Sequence, residues 1–175
     1  MQSVKVVVTG PFNAGKTTFI KAVSEITVLS TERQVSDVSG EGGGETTVAM
    51  DFGRITISDD VVLYLFGTPG QERFSFMWET LSEGMLGFVL LVDMSDDETF
   101  TDAKSMISFF KEMSDVPYVV AANKVDADDE DTIRSLRGSL ELDDSVPLLP
   151  VDARDKDSVK AVLLGLLYEI LESMG

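Results

Sequence analysis

Cysteine and histidine are both absent from the 175 residues. Without thiols there is no disulfide, no thiolate nucleophile, no zinc–thiolate centre and no prenyl or palmitoyl attachment. Without imidazole there is no histidine base and no Ser-His-Asp chemistry. Positive charge is scarce too. Only 14 Lys and Arg stand against 31 Asp and Glu, a formal charge of -17. Such a surface repels nucleic acid and anionic lipid, so neither is expected as a partner. The acid excess serves either solubility or the docking of a basic partner. No apolar run approaches the roughly 20 residues that span a bilayer. The opening stretch MQSVKVVVTG lacks the basic start and long apolar core of a secretion signal, and Gln2 stands where myristoylation needs glycine. The expectation is a cytoplasmic protein with no direct membrane anchor.

What is present suits one α/β domain over residues 1–175. Hydrophobic residues make up 43%, enough for a substantial core. Strand-like and helix-like segments alternate. Val4 to Thr9 reads as a strand, Lys16 to about Glu25 as a helix, and Val48–Ile57 with Val61–Phe66 as a hairpin around SDD. Leu86–Val92, Tyr118–Ala122 and Val146–Val151 are further strands. Helices are expected after Ser95, as N-cap with Glu98 completing a capping box, over about 129–140, and from Asp155 to about Met174. In the last helix Val159, Val162, Leu163, Leu166, Leu167 and Ile170 form the apolar side. Residues 30 to 47, polar and glycine-rich, read as a mobile loop. Strands separated by helices predict a six-stranded, mostly parallel sheet with one antiparallel edge strand and helices on both faces. Ligands in such sheets bind beyond the carboxyl ends of the strands.

Two motifs fall at such ends. GPFNAGKTT, residues 10–18, fits G-x-x-x-x-G-K-[ST] between a strand and a helix, the context a phosphate-binding loop requires. Glycines let backbone N–H groups turn around a phosphate, and the helix start adds partial positive charge. The expected contacts are Asn13, Ala14, Gly15, Lys16, Thr17 and Thr18, with Lys16 as the full positive charge and Thr17 offering its hydroxyl to magnesium. AANKVDADD, residues 121–129, follows a buried strand. The Asp126 carboxylate can accept from N1–H and the 2-amino group of guanine, donors that adenine lacks. Lys124 can lie along the base, and Asn123 can brace neighbouring loops. VDARD, residues 151–155, follows the next strand. The Ala153 N–H can meet guanine O6, with Asp152 and Arg154 beside it.

Together these residues resemble the Ras-like small GTPases, over nearly the whole chain. TVAMDF (47–52) looks like the end of switch I in Rab-type members, and PGQERF (69–74) like their switch II. LFGTPGQERFSFMW with DARD is most similar to a prokaryotic branch encoded beside Roadblock-domain proteins. The resemblance implies a P-loop NTPase fold, GTP and GDP as ligands with Mg2+, and GTP hydrolysis that is slow and partner-stimulated. It also implies a Roadblock-type regulator or other effector on the switch loops. By position Thr47 would give its hydroxyl to magnesium and its N–H to the γ-phosphate, with Thr46 one residue away. Gly70 would donate to the γ-phosphate, and Gln71 would orient the attacking water. Lys16, with Gln71, is the expected catalytic group. Arg33, Arg54 and Arg73 lie near the switch segments.

One departure stands out. The family's switch II motif is Asp-x-x-Gly, and this chain has Gly67-Thr68-Pro69-Gly70. That aspartate reaches magnesium through a bound water, and such groups tune metal affinity about 10–100-fold. The loss weakens the metal site without removing it, and Asp51 or an acid in the 37–45 loop is available as a replacement. Restoring the acid, Gly67→Asp, is expected to tighten magnesium binding unless another residue already fills the place. The loss also leaves open a second reading, a constitutive GTP-binding subunit that never turns over. In Phe74, Phe76, Met77 and Trp78 core packing and a partner patch are both represented, with Phe74 and Trp78 the candidates for exposure.

Overall fold

The computed structural model describes residues 2–36, 45–71, 74–126 and 128–175, and of 29–36 and 45–49 the backbone alone. The strands are β1 (Gln2–Thr9), β2 (Leu29–Ser36), β3 (Glu45–Ser58), β4 (Val61–Gly67), β5 (Gly87–Asp93), β6 (Tyr118–Asn123) and β7 (Leu148–Val151). The helices are α1 (Lys16–Val23), α2 (Phe76–Ser82), α3 (Phe100–Met113), α4 (Glu130–Ser139) and α5 (Lys156–Met174). All strands join one sheet in the order β2-β3-β4-β1-β5-β6-β7. From β4 to β7 every pairing is parallel, while β3 runs antiparallel to both β4 and β2.

The α/β class and the parallel centre agree with the sequence pattern. The strand count does not: there are seven strands, not six, and β3 is no longer the edge. Residues 29–36, expected largely as loop, pair with β3 from Leu29 opposite Phe52 to Ser36 opposite Glu45. A polar strand is stable at a sheet edge, where ladder bonds on one side suffice and charge discourages further pairing. Residues 37–44 of the expected loop lie outside the described residues.

The apolar runs are legible in the packing. β5 and β6 are buried throughout, as strands covered on both faces must be. Alternation splits β1: Val4, Val6 and Val8 join α1 and α5 on one face, Val7 joins α2, α3 and α4 on the other. Val159, Val162, Leu163, Leu166 and Ile170 of α5 are buried, and Leu167 packs against them partly exposed.

The start of α3 differs from the expected capping box. Ser95 instead donates its hydroxyl and N–H to Asp93 Oδ1, at 2.5 and 2.8 Å. Asp96 caps a short 3-10 turn over Asp97–Thr99, and α3 follows at Phe100. Phe74 and Trp78 are not exposed. Trp78 stacks on Phe110 and donates its indole N–H to Pro69 C=O at 2.8 Å. Phe76, on the opposite side of α2, is the exposed aromatic at 47%. No helix among the described residues is long and apolar enough to cross a membrane.

Candidate nucleotide-binding site

A cavity of about 1000 Å³ opens at the carboxyl ends of β1, β4, β6 and β7. Its first wall is the loop between β1 and α1. Asn13 (φ 67°) and Gly15 (φ 106°) both adopt left-handed backbone there, which folds the loop into a nest. A Cβ at Gly15 would sit 2.8 Å from Asn123 Nδ2 on a left-handed backbone, so a side chain there would be strained and would displace the Asn123 amide. Lys16 Nζ donates to Gly10 C=O (2.6 Å) and Pro11 C=O (2.9 Å). Burial draws the Lys16 ammonium down to about 8, against which Asp51 pushes it up. An ammonium held this way, largely desolvated and facing the cavity, is suited to receive a phosphate. Thr17 and Thr18, exposed in the first turn of α1, complete this wall.

The second wall is the carboxyl edge of β6 and β7. Buried Asn123 donates from Nδ2 to Ala14 C=O (3.0 Å) and accepts at Oδ1 from Ala153 N–H (3.2 Å). One amide thus clamps the phosphate loop, the NKVD segment and the 152–155 loop together. The Ala153 N–H is engaged in this clamp, so a contact to a base carbonyl would share that donor. Lys124 (φ 62°) donates from Nζ to Asp93 Oδ2 at 2.9 Å. Burial alone would raise the Asp93 carboxyl, but hydrogen bonds from Ser95 and Lys124 outweigh it and hold it below its usual range. Asp152 accepts from Arg154 N–H (3.0 Å) and Nε (3.1 Å), which lowers its carboxyl as well. Exposed Asp126 lies one residue beyond the lining at Val125, and its Oδ1 accepts from Asp128 N–H at 3.0 Å.

The third wall comes from the end of β4. Thr68 is buried, its hydroxyl 2.8 Å from that of Thr9. Gly70 lies so close to the phosphate loop that a Cβ would meet Phe12 N at 2.5 Å and Lys16 Nζ at 2.6 Å. Gln71 follows it, half-buried and lining the cavity. Asp51 enters from β3, and its Oδ2 accepts from the Thr17 hydroxyl at 2.5 Å.

Twelve of the expected site residues therefore line one cavity: Asn13, Gly15, Lys16, Thr17, Thr18, Gly70, Gln71, Asn123, Lys124, Asp152, Ala153 and Arg154. Ala14 is buried behind the loop, contributing its carbonyl to the clamp. Thr47 is a β3 residue opposite Gln34, four positions or about 13 Å along the strand from Asp51; its side chain is outside the described residues. Of the three arginines, Arg54 is not in the lining, and the side chains of Arg33 and Arg73 are outside the described residues. Sequence reasoning missed Phe12, Thr68 and Asp93. Asp93 was findable: it ends β5 in register with Asn123 at the end of β6.

A phosphate nest after the first strand, a parallel sheet and a second polar loop cluster across the cavity define a Ras-like P-loop nucleotide-binding protein. The comparisons agree. A family model described as "conserved hypothetical ATP binding protein" matches residues 28–173, and the chain belongs to that family. That matched span begins after the phosphate loop. The chain is 35% identical over 129 residues to an uncharacterised protein of Methanocaldococcus jannaschii, covering 74% of this chain and 75% of that one. It is 27% identical over 177 residues to Ras-related protein Rab-3 of Caenorhabditis elegans, covering 97% and 75%. Against human Ras-related protein Rab-8B it is 27% identical over 135 residues, spanning 74% of this chain and 65%, just under two thirds, of Rab-8B.

Proposed function

We propose that the protein binds guanine nucleotide with magnesium and acts as a GTP/GDP switch that hydrolyses GTP slowly. The observation that carries this reading is the Asn123 clamp. By fixing Ala14 and Ala153 to one buried amide, it joins the loop after β1 to the loops after β6 and β7 around a single cavity, which supports a phosphate end and a base end. The family's description speaks of ATP, but the chain's own segment favours guanine. A carboxylate at Asp126 has two donors to accept from on guanine. On adenine it would be left beside an acceptor, at a cost of about 1–3 kcal/mol. The turn to Asp128 occupies one acceptor site on Asp126 Oδ1, and the remaining carboxylate sites stay available to a base.

The donor set fits magnesium. Thr17 offers a hydroxyl oxygen, with the Asp51 carboxylate hydrogen-bonded to it, the oxygen chemistry a hard dication takes. No group of three metal-binding side chains exists among the described residues, so phosphate and water oxygens would complete the sphere, as magnesium prefers. Bound there, the ion would neutralise charge on the outer phosphates. The chain's own part is to place Lys16 against the phosphates, to offer the Gly70 N–H, and to orient water through Gln71. Thr47 contributes in this scheme only if β3 unpairs from β2 near Gln34, which is the conformational change the reading assigns to GTP. The bare Gly67 favours the second reading, a binding subunit without turnover; single-turnover γ-phosphate release at the uncatalysed rate would establish that one instead.

Displacement of a fluorescent GDP by GTP and by ATP tests the base assignment. GTP is expected to compete about 5- to 150-fold better, and equal competition would refute the guanine reading.

A further inference from the structure

The acid missing at Gly67 has a counterpart across the sheet. In the antiparallel ladder of β3 and β4, Asp51 is the residue directly opposite Gly67. Opposite residues project from the same face with Cβ atoms about 4.5–5.5 Å apart. A Cβ built on Gly67 would fall 3.3 Å from Asp51 Cβ and 3.5 Å from Asp51 Oδ2. The Asp51 side chain thus leans over the bare glycine and borders the space that a residue-67 side chain would enter.

From there it reaches the phosphate loop. Asp51 Oδ2 accepts the Thr17 hydroxyl proton at 2.5 Å. A hydroxyl has one proton and two acceptor lone pairs. With the proton committed to Asp51, both lone pairs are left for a cation on the cavity side. A neighbouring carboxylate also makes the hydroxyl oxygen a better donor to metal. Among the described lining residues Asp51 and Asp152 are the acids, and Asp152 lies with Arg154 at the base end.

We propose that Asp51 is the positioning carboxylate of the magnesium site, replacing from β3 the acid that β4 lacks. The inference rests on the magnesium–nucleotide reading above. It also reverses the simplest expectation for position 67. Gly67→Asp in the native chain would press its Cβ against Ile20 Cδ1 (3.1 Å) and set a second carboxylate beside the first. Like charges at that separation oppose each other, so the substitution should gain nothing for the metal.

The test uses the full chain loaded with fluorescent GDP. The rate of GDP loss is followed as magnesium is titrated against EDTA, which gives a half-saturating magnesium concentration separate from the metal-free rate. Asp51→Asn is expected to raise that concentration about 10–100-fold, well beyond any change in the EDTA rate. The exchange of the two, Asp51→Gly with Gly67→Asp, should recover most of the loss. An unaltered half-point in Asp51→Asn overturns the inference, as does an equal rise in the EDTA rate, which would mark a purely structural role. Should Asp51→Asn not fold, Gly67→Asp alone decides: no tightening supports the inference, and tightening of tenfold or more overturns it. A native protein that retains no guanine nucleotide at any magnesium level refutes the function itself, a result distinct from a bound nucleotide indifferent to Asp51.

Discussion

Raising the pH from 7 to 9 should weaken nucleotide binding about tenfold through Lys16 alone. In the empty protein burial takes this ammonium from 10.5 to about 8. About one tenth of the side chains are then neutral at pH 7, half at pH 8 and nine tenths at pH 9. Phosphate in the cradle favours the charged form, so each binding event takes up about 0.1, 0.5 and 0.9 proton at those three pH values. Losing that charge over two pH units costs about 1.4 kcal/mol of affinity. The stability of the empty protein moves the other way. Its folded pKa lies below the unfolded one, so the unfolded chain holds more protons between pH 8 and 10.5. Stability therefore rises with pH through that window, relieving a penalty of about 3 kcal/mol that is fully present below pH 8.

Calorimetry of GDP binding in two buffers of contrasting ionisation enthalpy counts the protons. The absence of histidine and cysteine clears the window of side chains that would confuse the count. An α-amino group or a phosphate ending its titration gives a signal that fades toward pH 9, whereas Lys16 gives one that grows. Uptake below about 0.2 proton at pH 9 would show that Lys16 stays charged in the empty cradle, and the desolvation argument would fail.

Two further outcomes are expected. Asn123→Ala leaves the Ala14 carbonyl and the Ala153 N–H buried without their partner, at about 1–3 kcal/mol each; urea unfolding should show a loss of about 2–4 kcal/mol, and a loss under about 0.5 would mean the clamp is not structural. Gln71→Leu should slow single-turnover GTP hydrolysis at least tenfold while leaving GDP affinity alone, and an unchanged rate would remove Gln71 from water placement.

What could be read from the sequence was whatever one segment decides by itself. The phosphate loop is legible because its glycines, lysine and threonine act within nine residues, and β5 and β6 because burial on both faces writes unbroken apolar runs. The polar strand β2 was not legible. STERQVS has no apolar period, and only β3 as a partner makes it a strand. Trp78 was misjudged for a similar reason. Its indole needs Pro69 and Phe110, contributed by segments on either side of it in the chain. Asp51 lay in view as one possible replacement acid, but the choice among acids depends on register, and register belongs to two strands at once.

The same dependence explains how this site tolerates a glycine at 67. The phosphate nest and the base loops are joined by the buried Asn123 amide, a contact that admits no substitute because each of its atoms has a fixed partner. The metal side is built differently. Its carboxylate needs only to reach the Thr17 hydroxyl from the face of the sheet that carries α1, and two residues opposite one another in the β3–β4 ladder share that reach. A single ladder rung thus has room for one acid and one small residue, in either order. With the acid on β3, it travels with the strand that also carries Thr47, so any rearrangement that draws Thr47 toward the nucleotide pulls on the strand that holds Asp51 at Thr17. Metal retention and the switch movement are thereby coupled through one backbone, which an acid on β4 would have kept apart.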